Sequence, residues 1–215
     1  MRRALGWLAV VGIAAGLWAG FGYAPREAVQ GNVQRIMYLH VPSVLTAYLA
    51  FALVLVGSIG YLASRRIGFD RLAAAAAEIG VLFTGITIVS GSIWGKPSWG
   101  TWWTWDARLT STAVLFVVYV GYLLLRAMVE EPEARGRYAA VVGILGAANI
   151  PIVHFSVKWW RALHQPSTIL GPEPSPIAAP IAAALFVNWV ALTLLFAYFL
   201  LRRMEIARRE EEALR

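Results

Sequence analysis

No cysteine occurs in the 215 residues, so a disulfide framework, a thiolate metal site and a Cys-x-x-Cys-His attachment site are all excluded. Whatever this chain binds, it holds without a thioether bond to itself. Charge is scarce too: Asp, Glu, Lys and Arg make up 14% of the residues, against about 25% in soluble domains. There are three histidines. No Walker A motif is present, so no ATP hydrolysis is encoded in this chain. The net charge of +7 comes largely from arginines at segment ends. That pattern reads as membrane topology and anionic-lipid contact, not nucleic-acid binding.

What is abundant is apolar sequence, 59% of the chain with a mean hydropathy of +0.62, falling in long uninterrupted blocks. A helix needs about 20 apolar residues to cross a bilayer. Six candidate spans meet that need: Ala4–Tyr23, Leu39–Ala63, Leu72–Ser92, Leu109–Leu125, Tyr138–Val157 and Pro180–Leu201. The fourth is the shortest and is expected to be completed by part of the segment before it. The expected fold is therefore an all-α, six-span membrane protein, with residues 1–215 forming a single membrane domain. The apolar stretch after Arg2 and Arg3 is longer than the roughly 7–15 residues of a signal-peptide core, so it reads as a retained helix.

Thirteen of the 19 Lys and Arg residues fall in the termini and even connections; six (Arg26, Arg35, Lys96, Arg108, Lys158 and Arg161) fall in the odd ones. The positive-inside rule then puts both termini in the cytoplasm and the odd connections outside.

All the unusual chemistry lies on that outer face. Five tryptophans occur within twelve residues from Trp94 to Trp105, in the third connection. A single tryptophan such as Trp7 or Trp18 fits an interfacial belt, but five in one connection suit a large flat ligand. His40 starts the second span, His154 lies in the outer part of the fifth, and His164 follows in the fifth connection. Haem iron takes axial ligands from opposite sides of a plane, and neutral imidazole serves well. His40 and His164, on separate connections, meet that condition. Lys96, Arg108 or Arg161 would meet the propionates by charge-assisted hydrogen bonds. If Trp99–Asp106 is helical, Trp99, Trp102, Trp103 and Asp106 share one face. Asp106 reads first as the N-cap of the fourth helix, and His154 as a structural polar residue near a helix end. Glu78, inside the third span, is costly there unless it snorkels or is protonated. The Ala73–Ala77 run offers a smooth surface for helix packing. The tail from Arg202 to Arg215 reads as a solvated helical extension, with Arg208 and Glu212 at pairing distance.

The run Trp99-Gly100-Thr101-Trp102-Trp103-Thr104-Trp105-Asp106-Ala107-Arg108 closely resembles the WWD signature of haem-handling membrane proteins. Within that group the match is to the heme exporter protein C family, CcmC, of cytochrome c maturation. Tyr38-Leu39-His40-Val41-Pro42, Trp94-Gly95-Lys96-Pro97 and His154-Phe155-Ser156-Val157-Lys158-Trp159-Trp160 resemble the same family in the same order. The resemblance covers nearly the whole chain and implies a bacterial inner-membrane protein that binds haem b non-covalently on the periplasmic side. It implies delivery of that haem to the chaperone CcmE, with CcmD and the ABC subunits CcmA and CcmB as associates. It makes His40 and His164 the axial ligands and residues 94–110 the haem-holding segment, Trp105 included. Pro166 departs from the family's pattern, in which a small residue is expected after the His-Gln pair; with Pro172, Pro174 and Pro176 it is expected to stiffen that connection. The resemblance describes a binding and delivery protein, not an enzyme. Two other classes compete: a membrane electron-transfer subunit that keeps a b-type haem, and a small transporter or assembly subunit whose tryptophans form a belt.

Overall fold

The computed structural model describes residues 2–160, 162–164 and 177–213. Six helices among them are long and apolar enough to cross a membrane, so this is an all-α, multi-pass membrane protein. They are α1 (Arg2–Trp18, continued by a wider π-helical turn over Ala19–Tyr23), α2 (Met37–Ser64), α3 (Ile67–Trp99), α4 (Ala107–Met128), α5 (Pro132–Trp159) and α6 (Ala179–Ala213). A 3₁₀ turn over Asn32–Ile36 leads into α2.

Local chemistry sets most of the boundaries. The Asp106 carboxylate accepts from the backbone N–H groups of Arg108 and Leu109 at 3.0 and 2.9 Å and caps α4, as its position predicts. Glu131 caps α5 through Glu133 and Ala134 N–H, with Pro132 in the first turn. Those two amides hold its carboxyl below the usual carboxylate range. Gly100, at φ 78°, ends α3 in the left-handed conformation that glycine adopts without strain, and its N–H donates to Lys96 O at 3.0 Å.

Two expectations are corrected at this level. Of the segment expected to complete the fourth span, Ala107 and Arg108 do join it, whereas Trp94–Trp99 form the last turns of α3, and the span also runs on to Met128. No helix covers Trp99–Asp106, because Gly100 stops one helix and Asp106 starts the next.

The core lies where α2, α3, α4 and α5 meet. Small residues set the spacing there, with Ala73, Ala75, Ala76 and Ala77 all buried. The Phe51 and Tyr119 rings stack at 3.8 Å and 8°, and Tyr119 O–H donates to Gly143 O at 3.0 Å across to α5. α1 packs on α6, where Asn188 donates to Gly16 O at 3.0 Å.

The end remote from the tryptophans is tied by ion pairs. Arg126 of α4 grips Asp70 of α3 with two bonds of 2.6 and 2.8 Å. Glu78, whose sequence position suggested snorkelling or protonation, accepts from Arg203 of α6 at 2.6 Å. Arg71 pairs with Glu211 at 3.5 Å, two turns further along both helices. The tail of α6 is therefore docked along α3, and the exposed Arg208–Glu212 pair at 3.8 Å is the part that fits a solvated extension. With 35 residues, α6 is about 52 Å long at ~1.5 Å per residue, well beyond a hydrocarbon core of ~30 Å.

Candidate functional site at the tryptophan-rich end

The opposite end of the bundle holds a cavity whose empty volume of about 1480 Å³ includes open solvent at its mouth. Its walls come from the start of α2, the end of α3, the start of α4, the end of α5 and the segment at 164. The first, third and fifth connections thus converge, as the placement of the histidines implies.

His40 and His164 both line this cavity, and each ring rests against a tryptophan from the last turns of α3. Trp94 meets His40 edge-on, with ring centroids 5.7 Å apart and planes at 75°. Trp99 meets His164 at 5.8 Å and 60°.

His40 Nδ1 lies 3.1 Å from Thr87 O and 3.2 Å from Ser90 Oγ. A carbonyl can only accept, so the bond to Thr87 places the proton on Nδ1 and leaves Nε2 with its lone pair. The close approach of α3 depends on Gly91, where an added Cβ would sit 2.8 Å from His40 Cε1.

The remaining candidates divide. Trp103 and Arg108 line the cavity. Each has a buried N–H, Trp103 Nε1 and Arg108 Nε, without an acceptor among the described residues. Arg108 also donates to His154 O at 2.7 Å, joining α4 to α5. His154, expected to be a structural residue, lines the cavity as well. Its place in the outer part of the fifth span was the available signal.

Trp102 and Trp105, by contrast, are 58% and 79% exposed and do not line the cavity. Lys96 turns away as well. Its ammonium donates to Gly100 O at 2.9 Å, at a helix end where free carbonyls attract cations. Asp106 serves as the cap. Arg161 and Pro166, with Pro172, Pro174 and Pro176, lie outside the described residues.

Most of the lining is apolar or aromatic, with imidazoles and a guanidinium at a few points. Such an arrangement suits a flat, largely apolar ligand with a metal centre and peripheral carboxylates. The comparisons with known proteins point the same way. The CcmC family profile, described as heme exporter protein C, matches residues 1–215.

The chain belongs to that family.

Heme exporter protein C of Bradyrhizobium diazoefficiens is 40% identical over 217 residues, covering 99% of this chain and 82% of the relative. The Escherichia coli K12 protein of the same name is 42% identical over 184 residues, 84% of this chain and 75% of its own length. That of Paracoccus denitrificans is 36% identical over 217 residues, 98% and 89% of the two chains.

Proposed function

We propose that this protein binds haem b non-covalently in the cavity at the tryptophan-rich end and delivers it to the chaperone CcmE during cytochrome c maturation. The observation that carries the reading is the pairing of His40 and His164, from separate segments, on one cavity, each against a tryptophan of α3. Family membership supports haem as the cargo, since the relatives are named for its export.

Haem would supply a metal centre able to accept nitrogen donors, and His40 and His164 are the residues that would hold it. His40 is prepared for that role because its hydrogen bond to Thr87 O directs the proton away from Nε2. Arg108 and Trp103 would satisfy their buried N–H groups on the ligand's carboxylates. His40 lies in the first turn of α2 and His164 in the connection after α5, and ligands at the ends of the spans suit release better than the buried haem of an electron-transfer subunit. The protein is a binding and delivery module in this reading, with CcmD, CcmA and CcmB as associates and lipid around the spans.

Exposed Trp102 and Trp105 are assigned to the chaperone and cavity-lining Trp103 to haem. Changing Trp102 and Trp105 together to Ala should cut covalent haem loading of co-expressed CcmE severalfold while haem retained on this protein stays near the wild-type level. Trp103→Ala should instead lower the retained haem. Normal chaperone loading with the double variant would return these rings to an interfacial belt.

The charge bias supports a periplasmic cavity end and cytoplasmic termini. Val29, 91% exposed in the connection before α2, and Ser64, at the far end of α2, test this directly. Cysteine at 29 should react with a membrane-impermeant thiol reagent in intact cells with permeable outer membranes, and cysteine at 64 should not. No native cysteine contributes background; reversed labelling would invert the orientation.

A further inference from the structure

We infer that Gln30 is a positioning residue for the His40 imidazole, acting through Trp94. The inference rests on the proposed ligand role of His40. It begins in the connection between α1 and α2, where the Glu27 carboxylate accepts from the N–H groups of Val29 and Gln30. Gly31 N–H donates to Glu27 O at 3.1 Å and Val33 N–H to Gln30 O at 3.2 Å, so the turn is closed by its own bonds. This closed turn holds the Gln30 side chain against α3, where Trp94 Nε1–H donates to Gln30 Oε1 at 2.8 Å.

Trp94 has one polar atom, and Gln30 takes it. That bond fixes the rotation of an indole whose ring meets His40 edge-on at 5.7 Å. His40 is thereby held twice: Thr87 O and Ser90 Oγ fix its Nδ1, and Trp94 fixes the tilt of its plane. In a ferric haem with two imidazole ligands, the orientation of each ring plane sets the splitting of the iron d orbitals. A group that never touches haem thus tunes the iron through a ligand's orientation. Arg35 anchors the same connection by donating to the carbonyls of Gly20 and Ala24, tying it to the end of α1.

The test uses the full chain in detergent with ferric haem, read by low-temperature EPR and haem titration. Gln30→Leu breaks the bond and keeps the indole, and should displace the low-spin g-values; Trp94→Phe removes the bond together with the larger ring that lines the cavity, and should displace them at least as far. Each should weaken haem binding roughly fivefold, the scale of one ordinary hydrogen bond. Combining them should add no further shift, and Gln30→Glu, which keeps an acceptor oxygen, should retain the wild-type signal. Unchanged g-values in Gln30→Leu, or shifts that add in the double variant, would overturn the inference. Gln30→Met, closer in shape to glutamine and without the acceptor oxygen, gives the same test if Gln30→Leu fails to fold. His40→Ala run alongside separates the two levels. If it keeps the wild-type signal, the ligand assignment fails and Gln30 with it; if it loses the signal while Gln30→Leu does not, the positioning role alone fails.

Discussion

Replacing either His40 or His164 with Ala is expected to abolish the two-histidine haem spectrum of the purified protein, while His154→Ala leaves its position nearly unchanged. Removing a group that merely supports a metal ligand commonly costs 10–100-fold in affinity, so removing the ligand should cost at least about 100-fold. The distinction is sharp because all three histidines line the same cavity. His40 and His164 are the two whose rings rest on Trp94 and Trp99, whereas the His154 ring packs edge-on against its neighbour Phe155 at 4.9 Å. Its backbone carbonyl, bonded to Arg108, is the part tied to the site, and alanine retains it. Equal loss in all three variants would reassign the ligands, and undisturbed binding in His40→Ala and His164→Ala would remove the haem site from this cavity.

The largest effect on stability is expected at the other end of the molecule. Asp70 and Arg126 side chains are only 7% and 16% exposed and are joined by two short bonds. Arg126 also lies over the Tyr122 ring, 5.8 Å from its centroid. Arg126→Met leaves a buried carboxylate without its partner and should cost about 3–5 kcal/mol. The double change Asp70→Leu with Arg126→Met removes both charges and should recover most of that loss, because two apolar side chains carry no desolvation penalty. Thermal unfolding in detergent reads both. If the double variant is no more stable than the single one, the pair is not an isolated clamp between α3 and α4. Haem affinity, set at the far ends of the same helices, should change little in the recovered double variant.

Sequence alone was enough for the properties that depend on local composition. Six spans follow from apolar length, and the convergence of the first, third and fifth connections follows from counting crossings. Asp106 is a legible cap because capping involves amides only two and three residues away. Arg208 and Glu212 are legible as a pair because helical periodicity puts them side by side. His40 and His164 could be singled out as rare polar residues on one face, though not the tryptophan each would rest on.

Tertiary structure decided whatever depends on partners distant in sequence. Glu78 read as a snorkelling or protonated carboxyl, and its partner Arg203 comes from α6, 125 residues away. Asp70 and Arg126 are 56 residues apart, and no periodicity links them. Gln30 carried no signal of its own, since its importance comes from Trp94, 64 residues on. The tryptophan run divided because Gly100 adopts a positive φ and Asp106 claims the next helix start. That break turns Trp99 and Trp103 towards the cavity and leaves Trp102 and Trp105 outside. Composition can say that five indoles lie together. Which of them face a ligand depends also on the cavity walls, which α2, α4 and α5 bring together from distant parts of the chain.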